Sequence, residues 1–276
     1  MTRLYRFVLG VVLAFGMSLP QAFADQPKPW GIWTQDAASP TMTQIVELHT
    51  TITVIILAIL AFVFVLLGYV VIRFHHSRHK EAQQWTHNTL LEVVWTLIPV
   101  LILVSIAFPS FKLLYAMDRA EQADLTLKVT GHQWYWSYSY PDLNVAFDSN
   151  LVQDESLEAG QPRLLTTDTK VVVPVNAVVR VQTAAEDVIH SWSVPAFGVK
   201  LDAMPGRLNE TWFKAERTGT FYGQCSQLCG VNHGFMPIEV QVVTKEEFDA
   251  WVEQNATKTS SIAGTKQLAA ASFSKE

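Results

Sequence analysis

Two thiols, an imidazole and a thioether fall in one short run, Cys225-Ser226-Gln227-Leu228-Cys229-Gly230-Val231-Asn232-His233-Gly234-Phe235-Met236. Soft sulfur donors combined with imidazole favour copper among the common biological metals. Two other chemistries use the same residue types. These are the only cysteines in the chain, so in an oxidising compartment a disulfide is open to them, although it gives His233 and Met236 nothing to do. Structural zinc also takes cysteine and histidine, but a thioether is a poor zinc ligand and only two cysteines are present.

Two bridging thiolates, one imidazole and one thioether leave a second copper short of ligands, so a two-metal site needs another histidine. His190, in Asp187-Val188-Ile189-His190-Ser191-Trp192, is the candidate. It follows the strand-like run Val178–Val181 and precedes the ligand loop by about three strands' length, and a sandwich brings loops together at one end. A lone histidine is more often a core or surface residue. The conjunction with the loop is what is specific.

The elements that must position these residues lie in the second half of the chain. Leu125–Thr130, Lys170–Val175, Val178–Val181 and Ile238–Val242 are short apolar or alternating runs bounded by turn residues, which predicts strands. Without helices between them, they predict an antiparallel sandwich or barrel. Lys245–Val252 predicts an amphipathic helical turn or two. The tail from residue 255 to 276, rich in Ser, Thr, Ala and Lys, has the composition of a disordered segment.

The first half belongs to another solvent. Of the whole chain, 49% is hydrophobic and only 16% charged, and the apolar residues concentrate before about residue 115. Ile52–Ile72 and Val93–Phe111 contain no charged residue, and about 20 apolar positions suffice to cross a bilayer as a helix. The predicted spans run over about 50–73 and 92–113, the second bent at Pro99 and Pro109. The basic connection Arg73–Lys80 places their linker in the cytoplasm and both flanking segments outside. Further upstream, Arg3 and Arg6, the apolar run Phe7–Leu19 and Ala22-Phe23-Ala24 form a secretory leader cleaved after Ala24. The expected organisation is a leader (1–24), a helical hairpin (25–117), an exported β-domain (118–254) and a tail (255–276). With 20 basic and 25 acidic residues the net charge is −5; there is no basic footprint for nucleic acid, and the acidic surface suits a basic partner.

From about Glu47 through Val252 the sequence resembles subunit II of haem–copper cytochrome c oxidases. The resemblance rests on four separated motifs in order: His87-Asn88-Thr89-Leu90-Leu91-Glu92, Gly131-His132-Gln133-Trp134-Tyr135-Trp136-Ser137-Tyr138, Asp202-Ala203-Met204-Pro205-Gly206-Arg207-Leu208-Asn209, and the cysteine loop. It implies an all-β cupredoxin-like Greek-key barrel preceded by an α-helical transmembrane hairpin, set in a bacterial inner membrane with the barrel on the periplasmic side. It also implies two copper ions, the dinuclear copper A centre. Cys225 and Cys229 would bridge them, His190 and Met236 would complete one copper, and His233 with the backbone carbonyl of Gln227 the other. The partners implied are subunit I and the other oxidase subunits, cytochrome c as electron donor, and membrane lipid. The activity implied is proton-translocating cytochrome c oxidation, with electrons passing to the haem groups of subunit I.

Three further roles follow from the same resemblance. Trp134 is the electron entrance, while the neighbouring Tyr135, Trp136, Tyr138 and Tyr140 read as strand packing. Asp142, Asp148, Glu155 and Asp168 are candidates for steering the donor, although Ser139 stands where relatives often carry an acid. Glu92, with His87 nearby, would open a proton channel continuing in subunit I. At one position the chain departs from the family: relatives carry Glu where it has Gln227, and that carboxylate reaches a magnesium ion at the subunit I boundary. A neutral amide is a weaker partner for a hard cation. Quinol oxidases of this shape lack the copper ligands, nitrous oxide reductase does not account for two spans, and a copper carrier needs a simpler, exchangeable site.

Overall fold

The computed structural model describes residues 24–78, 81, 84–118 and 122–256. Residues 1–23 of the expected leader and the tail from residue 257 onward lie outside the described residues. A two-residue strand β1 (Ala24–Asp25) comes first, followed by two long helices, α1 (Pro40–Arg73) and α2 (Thr89–Asp118). Eighteen-residue windows within them reach mean hydropathies of 3.2 and 2.4, and none of either window is buried within the chain. Such surface requires lipid or other apolar protein to cover it.

Both helices are longer than the predicted spans. The 34 residues of α1 extend about 51 Å at 1.5 Å per residue, against a hydrocarbon core of about 30 Å. Its first turns, with Gln44, Glu47 and His49, are too polar for hydropathy to mark and project toward the β-domain. There Ser39 caps the helix: its Oγ accepts from the Met42 N–H at 3.0 Å, Pro40 occupies the first turn, and the same hydroxyl donates to the Phe197 carbonyl at 2.7 Å. Ala38 exchanges backbone bonds with Ala196 and Glu216. Gly198 (φ +69°) lets Met42 approach, since a Cβ there would lie 3.2 Å from the Met42 backbone. The other helix is tied through its last turn, where the Ala116 carbonyl accepts from Trp212 Nε1 at 3.0 Å.

The β-domain contains β2 (Leu125–His132), β3 (Tyr135–Tyr140), β4 (Val145–Ser149), β5 (Val171–Pro174), β6 (Val178–Ala185), β7 (His190–Val194), β8 (Val199–Ala203), β9 (Asn209–Lys214), β10 (Gly219–Gln224) and β11 (Pro237–Val243). One sheet runs β4-β3-β2-β6-β9, a second β1-β10-β11-β5, and β7-β8 form a two-stranded piece that packs beside β10 and β9. Alternation fills the interior: Leu125, Leu127 and Val129 from β2, Trp136, Tyr138 and Tyr140 from β3, and Val179 and Val181 from β6 are all buried. The buried hydroxyl of Tyr140 is satisfied by the Val172 backbone, donating at 2.8 Å and accepting at 3.1 Å.

The strands predicted from alternation are present, but the sheets are mixed rather than antiparallel. β2 pairs in parallel with β6, and β5 with β11. Those partners are distant in sequence, and their relative direction follows from the crossovers of the barrel, which local alternation does not encode. Helix α3 (245–256) closes one side and continues past Val252, so that Asn255 and Ala256, assigned to the tail, end a helix instead. Its Trp251 ring meets Tyr140 edge-on at 5.4 Å.

Candidate metal centre

Cys225 follows the last residue of β10, Met236 precedes the first residue of β11, and His190 opens β7. Those strands are held in register at this end by backbone bonds from Cys225 N–H to the Met236 carbonyl and from Ser226 N–H to the Ser191 carbonyl. Gly223 permits the contact of β10 with β7: a Cβ at that position would fall 1.9 Å from the Ser193 carbonyl oxygen. The sequence placed His190 in a loop. The structure makes it the first residue of a strand whose five residues are all buried, so alternation could not reveal it.

The donor atoms converge. Cys225 Sγ lies 3.9 Å from Cys229 Sγ, 3.9 Å from His190 Nδ1 and 3.4 Å from the Gln227 carbonyl oxygen. Cys229 Sγ lies 3.6 Å from His233 Nδ1 and 3.5 Å from Met236 Sδ. The cysteines are free and buried, well beyond the roughly 2.05 Å of a disulfide. His190, Cys225 and Cys229 are the one group of this kind among the described residues with ligand atoms mutually close enough for one ion.

Electrostatics favour a cation here. Burial opposes ionisation of Cys225, but His190 and the surrounding backbone outweigh it and hold the thiol below its ordinary range. Burial and the neighbouring Cys225 charge push Cys229 upward. The pair thus resists double ionisation on its own, and a bound cation would supply the positive charge that favours two thiolates. Burial works against a charged His190 too, yet Cys225 and Asp187 raise its pKa. Asp187 is held low despite its own burial by His190 and by the Val188 and Gln133 N–H groups. Since Asp187 Oδ1 engages His190 Nε2 at 2.9 Å, Nδ1 is left facing the sulfurs, the orientation a metal-ligating imidazole takes from a supporting carboxylate. Thiolate, imidazole and thioether donors in this arrangement fit copper.

Comparison with known proteins decides the family. Residues 27–113 match the family described as cytochrome C oxidase subunit II, transmembrane domain, and residues 125–243 match its periplasmic domain. The chain is 49% identical over 247 residues to cytochrome c oxidase subunit 2 of Cereibacter sphaeroides, covering 83% of this chain and 82% of that one. It is 48% identical over 242 residues to the probable cytochrome c oxidase subunit 2 of Rickettsia felis, covering 87% and 77%. The chain belongs to the cytochrome c oxidase subunit II family. A crystal structure of the periplasmic domain of subunit II from Bradyrhizobium japonicum is 58% identical, covers 51% of this chain and 99% of its own, and superposes with a TM-score of 0.48. The β-barrel behind two membrane-type helices matches the family's division into a transmembrane and a periplasmic domain, and the chain is accordingly a subunit of cytochrome c oxidase.

Within this subunit II, Trp134 lies next to the loop. A Cβ on Gly230 would sit 3.0 Å from its Cζ2, and its indole N–H is buried without a partner among the described residues. Glu92 is in the first turn of α2, whose start is capped by Asn88 Oδ1 accepting from the Leu91 N–H at 3.1 Å. It lies 24 residues before Ala116, the turn that meets the barrel, or about 36 Å along the helix, so it is not brought to the metal centre. Asp142, Asp148, Glu155 and Asp168 are exposed. Two of them already serve local structure: Asp148 accepts from Ser137 Oγ and Asp168 from the Asn150 backbone and side chain. The Gln227 side chain is an exposed neutral amide, a weaker partner for a hard cation than a carboxylate.

Four residues of the site were not singled out from sequence for it. Asp187 carries a faint signal, a carboxylate three residues before a candidate ligand histidine. Gly131, Gln133 and Gly230 carry none, because their roles are contacts across the fold.

Proposed function

We propose that this subunit II takes electrons from cytochrome c at a dinuclear copper centre and passes them to the haem groups of subunit I, where oxygen is reduced to water with proton translocation. The observation that carries the reading is the convergence of two free, buried thiols with two imidazole nitrogens, a thioether and a backbone carbonyl. Cys225, Cys229, His190, Met236, His233 and the Gln227 carbonyl would hold the copper pair, the two thiolates serving both metals. When bound, a thiolate-bridged copper pair supplies a one-electron carrier whose charge is spread over both metals. The residues around it keep the geometry fixed: Asp187 orients His190, Trp136 donates from Nε1 to the Met236 carbonyl at 3.3 Å, and the barrel strands clamp the loop at both ends.

Trp134, half-buried beside Gly230 of the loop, serves as the electron entrance. Exposed acids attract a basic donor and speed encounter more than they tighten binding. Glu92, on the groove lined by Thr89, Val93, Thr96, Leu97 and Val100, opens the proton path into subunit I. The leader is removed after Ala24, and the hairpin spans a bacterial inner membrane with the barrel (118–254) in the periplasm. Electron paramagnetic resonance of the copper-loaded full chain, with copper counted by metal analysis, tests the centre. One unpaired electron shared equally by two copper nuclei is expected; the spectrum of an isolated copper sinks the reading.

A further inference from the structure

Gln133 is bonded to the metal site at two points. Its backbone N–H donates to Asp187 Oδ2 at 2.7 Å, and the other oxygen of that carboxylate engages His190 Nε2 at 2.9 Å. Its side-chain amide donates to the carbonyl of Cys229 at 2.8 Å. One residue thus links the support of one candidate ligand to the backbone of another. It also immediately precedes Trp134. The contact between the two segments is close: at Gly230, whose φ of +125° already disfavours a side chain, a Cβ would lie 3.0 Å from both Gln133 Nε2 and Trp134 Cζ2.

We propose that Gln133 is a positioning residue for electron transfer, its two hydrogen bonds holding the Trp134 indole against the Cys229–Gly230 peptide. The inference rests on the assignment of Trp134 as entrance. Tunnelling falls steeply with each added gap, and a ring resting on the residue after Cys229 has a nearly unbroken path to that sulfur. Among the described residues, the Gln133 amide donates the hydrogen bond that ties these two segments. Gln133 would then act through Trp134 and the loop, not by touching the donor.

The test uses the whole oxidase carrying Gln133→Met, which keeps an unbranched chain of similar length but cannot donate. Electron injection from a bound, photo-triggered cytochrome c is timed, along with the later copper-to-haem step, donor affinity, the copper resonance spectrum and amide exchange across 229–234. Misplacement by about 1 Å can cost on the order of 100-fold where geometry controls a rate, so injection should slow by about tenfold or more. Affinity, copper spectrum and copper-to-haem transfer should hold, and the 230–233 amides should exchange faster. Unchanged injection overturns the proposal, as does a loss of affinity with an unchanged limiting rate, which would make Gln133 a docking contact. If the variant does not assemble, Gln133→Glu, which turns carboxylate oxygen toward the Cys229 carbonyl, should slow the same step. Trp134→Phe is run beside it. If that variant injects normally, the entrance assignment falls and this proposal with it; if it is slow while both Gln133 variants are normal, only the positioning role falls.

Discussion

Gly131 has no side chain because the His190 ring occupies the place where one would go. A Cβ there would lie 2.8 to 3.0 Å from three carbons of that histidine. His190 cannot retreat easily, since it is fully buried, packed edge-on against Trp136 at 5.8 Å between centroids and bonded to Asp187. Gly131→Ala must therefore turn the ring or shift β2, and overpacking of this kind costs about 1–3 kcal/mol. A turned ring misaims Nδ1, and disturbing the support of a ligand lowers metal affinity by about 10- to 100-fold. Competition titration with a copper chelator should record that loss. Gly68→Ala, at a helix position with nothing within 4 Å, should leave copper affinity where it is. Full affinity in the Gly131 variant would mean that His190 does not need its observed orientation.

The junction between membrane helix and barrel is made by a cap. Ser39 satisfies the first turn of α1 and, with the same hydroxyl, the Phe197 carbonyl at the foot of β8. Ser39→Ala removes both bonds from a fully buried position, which costs about 1–3 kcal/mol. Thermal unfolding of the purified chain should show it. Thr50→Ala, losing only an exposed hydroxyl bond to the Val46 carbonyl, should shift stability by no more than about 0.5 kcal/mol. Equal midpoints for the two variants would refute the cap as the anchor. This element also marks the limit of reading from sequence. The uncharged part of α1 was legible because lipid demands one kind of residue for twenty positions, whereas Pro40–His49 mixes polar and apolar residues and looks like loop. In the barrel, β2, β5, β6 and β11 were legible from alternation or apolar runs, while β7 was hidden because all of its residues are buried. The cysteine loop was legible since its ligands are contiguous. His190 was found only by its conjunction with that loop, and Asp187, Gly131 and Gln133 act through contacts that no spacing announces.

On the surface of the molecule as a whole, the outer side of the cysteine loop is exposed and largely apolar. Leu228 and Val231 are 77% and 83% exposed, and Gln227 stands beside Leu228, also exposed. The loop thus offers its ligand atoms inward and a mostly apolar rim outward, where another protein of the oxidase can cover it. Gln227 divides the two functions within one residue. Its carbonyl lies 3.4 Å from Cys225 Sγ, while its amide stands on the exposed rim. Gln227→Glu should consequently leave the copper resonance unchanged and restore a hard anionic ligand on the rim. Grown with manganese, which takes the same oxygen donors as magnesium and is visible by paramagnetic resonance, the variant oxidase should retain that ion about 10- to 100-fold more tightly than the parent, the scale on which one supporting group alters metal affinity. Equal retention would mean that the subunit I side alone governs the cation. A changed copper spectrum would mean instead that the side chain at 227, and not its carbonyl alone, shapes the metal pair.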